Sequence, residues 1–255
     1  MTVSIDEMRT QLTAAVRDAA PGLPAANELC AACVGLLGVD GAAISLMHDG
    51  ASQGTFGSSS ETSRQVDEYQ FTFGEGPCID AAFSKTPVLA ADLDLPTEQR
   101  WPAFTDAVLG DGMRAVFALP VMMASVCVGA LDLFRQVPGP LGGDELAGGL
   151  LAAQLAGLPL LDLMTATATT EATGLPADEP WARLVEFDRL EVHQATGFLI
   201  VQLGVSPTEA LARLRAHAVA TGQTATEVAR AIMGRRLVLD RDGGVQKHGD
   251  TRTRT

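Results

Sequence analysis

The chain has 255 residues, of which 47% are hydrophobic and 5% are aromatic, and its formal net charge is −13. This length and apolar content exclude a chain that is disordered throughout, and they allow one large domain or two smaller ones. The charge is uneven, because residues 1–180 hold 7 Lys/Arg and 23 Asp/Glu, whereas residues 181–255 hold 11 and 8. A basic C-terminal part suits a polyanionic partner, although so small an excess is also common on a solvated surface.

The sequence predicts neither a membrane span nor a secretion signal. The longest weakly polar run, residues 146–164, contains Gln154 and Asp162 and is typical of an amphipathic helix. Charged residues occupy the N-terminal positions where a signal peptide would have its apolar core. We therefore expect a cytoplasmic protein in which the four cysteines are free thiols.

The first 40 residues predict two helices. Apolar residues recur at helical spacing from Ile5 to Val16, and a second apolar helix ends at Gly38. The second helix contains a C-x-x-C pattern at Cys30 and Cys33, which is found in redox and zinc sites. Since no second cysteine pair and no nearby histidine accompany it, we interpret these cysteines as buried packing residues.

Residues 41–134 predict an antiparallel sheet with short helices. GAAISLMH and SQGTFGS form a hairpin, YQFTF alternates as a strand would, and a short helix begins at Pro77. A strand at Val88–Ala90, a helix from WPAF and two strands joined near Ala124 complete the region. The order αα-ββ-β-α-β-α-ββ indicates an α+β fold.

The remaining sequence predicts helices on either side of a linker. Residues 141–164 return to a helical pattern, and the small, polar residues 166–180 are typical of a linker. Three helices follow, over about residues 181–203, 206–222 and 224–239. The second and third begin with capping boxes, Ser206 with Glu209 and Thr224 with Glu227. The last residues, 241–255, have no apolar periodicity, and we expect them to be disordered.

Two regions together resemble a known architecture. GEGPCIDAA at residues 74–82, TPVLAADL, WPAF and the run at 118–134 resemble a GAF domain of the actinobacterial type. HQATGFLIVQLGVSPTEALARLRAHA and TEVARAIM, within residues 183–239, resemble an ANTAR domain, a three-helix RNA-binding module. The resemblance implies N-terminal helices on the GAF domain or its dimer interface (1–40), a GAF sensor with a connector helix (41–165), a linker (166–180), an all-α ANTAR domain (181–240) and a tail (241–255).

The resemblance implies a transcription antitermination regulator. Such a protein would be a homodimer that binds tandem stem-loops in leader transcripts, with the GAF domain sensing a signal or holding the dimer together. It would be no enzyme, and it would hold no cofactor, although a small molecule could bind the GAF domain. The family pattern has Lys between the Ala and Gly of its first helix, where this chain has Thr196. A missing phosphate contact would weaken RNA binding and its salt dependence.

The predicted RNA face combines residues beside the apolar stripe of the first C-terminal helix with basic residues of the next two. Small side chains would leave room for an RNA loop, polar side chains would read its bases, and arginines would bind phosphate. The alternative is plain helix packing with a solvated basic surface. The candidates are His193, Gln194, Ala195, Thr196, Gly197, Arg213, Arg215, His217 and Arg230.

In the sensor region the candidate residues are Gly74, Gly76 and Cys78. A glycine loop that leads into a helix can hold an anion, and a cysteine near a helix start can be a redox sensor. The alternative is a simple turn with Cys78 packed inside. His48 and Cys127 show no metal-ligand spacing, and no catalytic set is found.

Besides DNA binding through a helix-turn-helix, which suits the predicted helices less well because no basic recognition helix stands out, two other functions remain open. In the first, the C-terminal helices bind a protein and the chain has no RNA affinity. In the second, which we favour less, the GAF domain reduces methionine sulfoxide through Cys78 or Cys127. No resolving cysteine is evident for that chemistry.

Overall fold

The computed structural model describes residues 4–48, 51–168, 189–240 and 245–247. The chain divides into two compact units, residues 1–188 and residues 189–255. Unit 1 has a mixed α and β composition, whereas unit 2 is mainly helical. Within the described ranges, no helix is long and apolar enough to cross a membrane.

Unit 1 begins with two helices, and a five-stranded sheet follows with helices inserted between its strands. Its elements are α1 (Ile5–Asp18), α2 (Leu23–Leu37), β1 (Gly41–His48), β2 (Ala51–Ser58), α3 (Glu61–Phe73), α4 (Pro77–Ser84), β3 (Val88–Ala90), α5 (Pro102–Gly110), β4 (Ala115–Met123), β5 (Val126–Arg135), α6 (Gly143–Leu155) and α7 (Gly157–Ala168).

The sheet of unit 1 is antiparallel, with the strand order β2-β1-β5-β4-β3. Side chains alternate between its two faces, as the strand period requires. One face carries Ile44, Leu131 and Leu133 and packs against α2 and α6 in the main apolar core, and α1 packs on these two helices. The other face, covered by α3 and α4, carries Ser45 and Asp132. The sheet thus lies between one apolar layer and one layer that contains buried polar groups.

The predicted strand at YQFTF is wrong, because residues 69–73 form the end of α3. Ser60 caps this helix by accepting a hydrogen bond from the Ser63 backbone N–H. The buried side of α3 includes Asp67 and Gln70, both fully buried. Because these inward residues are polar, the apolar residues of α3 do not recur at helical spacing. The alternation of residues 69–73 was then the stronger signal, and it led to the prediction of a strand.

Unit 2 is a three-helix arrangement followed by two short strands. Its elements are α8 (Leu190–Leu203), α9 (Pro207–Thr221), α10 (Ala225–Met233), β6 (Leu237–Leu239) and β7 (Val245–Lys247). Each of the three helices packs against the other two. Ser206 and Thr224 cap α9 and α10 through their side-chain oxygens. The predicted capping box is complete at Thr224 with Glu227, whereas the Glu209 carboxylate accepts from Arg213 and does not complete the predicted box at Ser206. Gly204 and Gly222 end α8 and α9 in the left-handed conformation, which glycine adopts without steric cost.

Other boundaries differ from the sequence-based prediction. The third C-terminal helix ends at Met233 rather than near Leu239, because residues 237–239 form β6. Residues 245–247 form β7 and pair with β6, so the prediction of a disordered tail is wrong there. The helix α7 continues to Ala168, inside the predicted linker. The rest of that linker, residues 181–188 and the remaining tail lie outside the described residues.

Candidate functional site

The helix α8 has a buried stripe and an exposed face on opposite sides. Val192, Ala195, Leu199 and Leu203 form the stripe and pack toward α9 and α10. The exposed residues recur at helical spacing on the other side. We call them the outward face of α8, and they are Leu190, His193, Gln194, Gly197, Phe198 and Val201.

The outward face contains three of the predicted RNA-binding residues, which are His193, Gln194 and Gly197. An added Cβ at Gly197 would meet no atom within 4 Å, so the helix surface there is open to close approach. Thr196 is half-buried, and its hydroxyl donates a hydrogen bond to the Val192 carbonyl oxygen over 2.7 Å. With its proton used inside the helix, Thr196 is left as an acceptor. Ala195 is fully buried, which corrects its inclusion in the RNA face.

Three large apolar residues of the outward face were not among the sequence candidates. Phe198 is 49% exposed, Val201 is 85% exposed and Leu190 is 45% exposed. They follow Gln194 at spacings of four and seven residues, or precede it by four, so they share its side of the helix. That spacing was visible in the sequence, but an apolar run usually indicates core and so concealed them.

The predicted arginines do not form one patch. Arg213 is paired with Glu209 one turn earlier, with Nη2 to Oε1 at 2.7 Å. Arg215 lies two residues on and therefore projects about 200° around α9 from Arg213. Arg230 on α10 is paired with Glu191 on α8, with Nε to Oε1 at 3.3 Å, which places it beside the start of α8.

His217 differs from the arginines because it is neutral near pH 7. Burial lowers the pKa of its imidazole, since the charged form loses hydration. The side chain is half-buried on α9. At neutral pH it can take part in hydrogen bonds, but it adds no positive charge to an RNA interface.

In unit 1 the predicted glycine loop is fixed by interactions within the protein. Gly74 ends α3 with φ +69°, and Gly76 has φ +148° and ψ 167°, a region that only glycine populates readily. Gln70 lies against Gly76, where an added Cβ would be 2.6 Å from its Cγ. The Gln70 Oε1 accepts the hydrogen bond from the Cys78 backbone N–H at 2.8 Å. The Cys78 backbone N–H in the first turn of α4 is therefore already bonded to a neutral amide oxygen. This geometry does not favour the predicted binding of an anion.

The acidic residue of the same loop serves a neighbouring helix. The Glu75 Oε1 accepts hydrogen bonds from the backbone N–H groups of Ala103 and Phe104, at 2.7 and 3.1 Å. A carboxylate is well placed there, because the N-terminus of α5 carries unpaired donors and a positive dipole end. The loop GEGP thus connects α3, α4 and α5.

Behind this loop lies a buried polar cluster that the sequence did not reveal. Asp67 on α3, Cys78 on α4 and Asp132 on β5 each offer one ligand atom, and these atoms lie within 4.8 Å of one another. All three residues are fully buried. They are far apart in sequence, so no spacing pattern could have grouped them. We call this set the Asp67–Cys78–Asp132 cluster.

Hydroxyl and amide donors surround the two carboxylates. Ser45 and Thr55 donate to the two oxygens of Asp67, and the Gln70 Nε2 donates to Asp132 Oδ2 at 2.7 Å. Burial raises the pKa of Asp132 well above its usual value, and the nearby charge of Asp67 raises it further. Two carboxylates this close do not both ionise readily without a compensating cation.

The cysteines are poor candidates for redox sensing. Cys30, Cys33 and Cys78 are fully buried, and Cys127 is half-buried. Burial raises the pKa of Cys33 to about 12 and also raises that of Cys127. Since the thiolate is the reactive form, these thiols react slowly. The exposure that the redox hypothesis for Cys78 requires is missing.

Comparison with protein families identifies both units. The GAF domain model matches residues 24–158, and the ANTAR domain model matches residues 188–233. The GAF match begins inside α2, so this helix belongs to the domain that the sequence analysis began at residue 41. No curated protein matches the chain.

Solved structures support the fold of unit 1. A GAF domain from a phosphoenolpyruvate-protein phosphotransferase of Coxiella burnetii is 19% identical, with a TM-score of 0.53, over 65% of this chain and 97% of that chain. A GAF domain from an Acinetobacter phosphoenolpyruvate-protein phosphotransferase is 13% identical, with a TM-score of 0.50, over 66% and 99%. At these identities the likeness shows the fold alone.

Proposed function

The chain belongs to the GAF domain family and carries an ANTAR domain, and from this we propose that it is a transcription antitermination regulator that binds RNA stem-loops. The ANTAR family is known for RNA binding in antitermination, and the GAF domain is a sensing domain. In the proposed mechanism, unit 1 senses a signal or joins two copies of the chain. Each copy then contributes one ANTAR domain to a tandem stem-loop RNA in the cytoplasm.

The outward face of α8 is the observation that carries this proposal. Bases in RNA loops are unstacked, and proteins bind them by stacking on aromatic rings and by hydrogen bonds to base edges. Phe198 offers an exposed ring, and Gln194, one turn away, offers an amide that both donates and accepts. Gly197 between them leaves the backbone open to close approach.

Positive charge beside this face would supply the general attraction to phosphate. The part of the chain after residue 180 is net basic, in contrast to the acidic part before it. Arg230 lies beside the start of α8, and its pairing with Glu191 is exposed and therefore weak enough to exchange for phosphate. Charge pairing with phosphate releases counterions, so the binding should weaken as salt rises.

Dimerisation would explain a preference for two stem-loops. When one stem-loop is bound, the second is held at a high effective concentration near the second ANTAR domain. The gain in affinity requires no new contact, and it disappears when one stem-loop is removed. Control of dimerisation by unit 1 would then switch RNA binding.

A gel-shift experiment with the full chain tests the proposal. We expect tighter binding to a two-stem-loop RNA than to a one-stem-loop RNA, and weaker binding to both at higher salt. Gln194→Ala should reduce the affinity, whereas Gln11→Ala, which alters an exposed glutamine on α1, should not. Equal and salt-insensitive binding of both RNAs would refute the proposal.

The apolar content of the outward face supports a second candidate, binding to a protein. Leu190, Phe198 and Val201 could pack against a partner helix in the way of a helix-in-groove complex. This alternative predicts no RNA affinity in the gel shift and no effect of Arg215→Glu on RNA.

An enzymatic role is the least supported, and we propose that the chain is not an enzyme. A methionine sulfoxide reductase needs a reactive thiol, whereas Cys78 is buried and Cys127 has a raised pKa. Turnover of free methionine sulfoxide that is lost in Cys78→Ser or Cys127→Ser would contradict this proposal.

A further inference from the structure

We propose that the Asp67–Cys78–Asp132 cluster binds a divalent transition-metal ion in the interior of the GAF domain. The cluster offers two carboxylate oxygens and one sulfur, all fully buried and within 4.8 Å of one another. This inference is independent of RNA binding, because it concerns only residues of unit 1.

An unpartnered buried oxygen is the second observation that points to a bound ion. Asp132 Oδ2 accepts a hydrogen bond from Gln70, whereas Oδ1 has no hydrogen-bond partner among the described residues. Among the described residues, the groups that act on the Asp132 carboxyl are Asp67, Gln70 and Ser45, none of which is basic. A buried carboxylate oxygen without a partner loses its hydration and gains no hydrogen bond, which costs free energy. Coordination to a cation would satisfy it.

The donor set indicates which ions fit. Mg²⁺ and Ca²⁺ prefer sites made of oxygen alone, whereas thiolate sulfur is a ligand for Zn²⁺ and other transition metals. Ligand atoms around one zinc ion, at about 2.0–2.3 Å from it, lie roughly 3.5 Å from one another. Shortening of the ligand-to-ligand distances, which are at most 4.8 Å, by up to about 1.3 Å would therefore suffice. Three protein ligands leave a fourth position for water.

Gln70 is suited to hold two of the ligands in place. Its Nε2 donates to Asp132 Oδ2 at 2.7 Å, and its Oε1 accepts from the Cys78 backbone N–H at 2.8 Å. Gly76 gives Gln70 the room to do this, since a Cβ there would collide with the Gln70 side chain. Such outer hydrogen bonds orient metal ligands and raise metal affinity. They also connect the cluster with the GEGPC loop.

Binding changes the protonation of the ligands. A metal-bound cysteine is a thiolate and a metal-bound aspartate is a carboxylate, so the Cys78 thiol proton and any proton on Asp132 leave to solvent. The ion adds two positive charges where two carboxylates and one thiolate remain. No electron is transferred, and no other reactant is needed.

The test uses the full chain freed of metal with a chelator, then titrated with Co²⁺ as a spectroscopic probe. Because the cluster is buried, a second sample is unfolded in guanidinium and refolded with Co²⁺ present. We expect one Co²⁺ per chain and a thiolate-to-cobalt charge-transfer band in the near ultraviolet. Zn²⁺ should displace the cobalt and raise the melting temperature, because it binds the folded state alone.

Matched variants decide the outcome. Cys78→Ser should remove the charge-transfer band, and the nearly isosteric Asp132→Asn should weaken Co²⁺ binding at least tenfold. Cys127→Ser and Cys33→Ser lie outside the cluster and should leave the charge-transfer band and the Co²⁺ affinity unchanged. Circular dichroism checks that each variant is folded. Absence of Co²⁺ binding in the wild type, or a band that persists in Cys78→Ser, would overturn the proposal. The buried pair Asp67 and Asp132 would then be explained by one proton that the two carboxylates share.

Discussion

Gln70 and Gly76 fit together because Gly76 has no side chain. A Cβ on Gly76 would lie 2.5 Å from Gln70 Oε1 and 2.6 Å from Gln70 Cγ. The Gly76 backbone, with φ +148° and ψ 167°, is also closed to other residues. The most distinctive loop of the sequence is thus explained by packing around one buried amide.

Gly76→Ala should therefore destabilise unit 1. Backbone strain alone predicts a loss of roughly 1–3 kcal/mol in the free energy of unfolding, and displacement of Gln70 adds to it. Gly35→Ala is the matched control, because Gly35 is exposed inside α2 and a Cβ there meets nothing within 4 Å. It should raise the stability by about 0.5–1 kcal/mol. Urea unfolding measures the free energy of unfolding of both variants. An equal change in the two would show that the close packing of Gln70 against Gly76 does not contribute to stability.

Phe198→Ala should weaken RNA binding without unfolding unit 2, because the ring is 49% exposed. Loss of one base–aromatic stack costs about 1–3 kcal/mol, which is roughly a 5- to 150-fold rise in Kd. Phe83→Ala removes an equally large exposed ring from α4 and should leave Kd unchanged. Similar effects of both changes in a gel shift would exclude stacking on the outward face of α8.

Thr196→Lys should strengthen RNA binding, because it restores the residue type of the family pattern. One added phosphate contact makes the slope of log K against log salt steeper by about 0.7–0.9. Thr10→Lys is the control, since Thr10 on α1 makes the same hydrogen bond to a carbonyl one turn earlier. An equal change of slope in both variants would indicate a general charge effect and not a local contact.

His217 predicts a loss of stability on acidification. Its folded-state pKa is lowered by burial, whereas the unfolded value is about 6.5. The stabilisation is present above pH 6.5 and is lost as the pH falls through the folded-state pKa, because the unfolded chain binds the proton first. The half-exposed side chain limits the effect to under about 1 kcal/mol. Urea unfolding at pH 7.5 and 5.5 should show a smaller drop for His217→Gln than for the wild type. If the free energy of unfolding of His217→Gln falls as much as that of the wild type, or more, the pKa of His217 is not lowered by folding.

Thiol labelling should separate Cys127 from the other three cysteines. In the folded protein a thiol-specific reagent should react slowly with Cys127 alone, and all four should react after unfolding. The pKa of Cys33, about 12, leaves almost no thiolate at neutral pH. Cys127→Ser should abolish the native-state reaction. Rapid labelling of Cys78 would contradict its burial and revive the redox hypothesis.

Local signals in the sequence were sufficient for much of the fold. The caps at Ser206 and Thr224 depend on residues within one turn, and the turn near Ala124 depends on two adjacent strands. The motifs also identified both domain families correctly.

The parts that failed depend on contacts between distant residues. The helix α3 was mistaken for a strand at its end because its inward side carries the polar residues Asp67 and Gln70. The partners of Asp67 lie on β1 and β2, and those of Gln70 lie on β5 and α4. The cluster with Cys78 and Asp132 joins residues of α3, α4 and β5, which are far apart in sequence and meet only in the folded domain. Apolar exposed residues such as Phe198 could not be distinguished from core residues until the packing of α8 was known.

The strand β6 has a consequence for exchanging RNA-binding modules between regulators. The ANTAR match ends at residue 233, yet Leu239 accepts a hydrogen bond from Gln202 of α8 at 3.0 Å, and β6 pairs with β7. A chimaera joined at residue 234 would cut through one folded unit. A transplant that keeps the module intact should extend to residue 247.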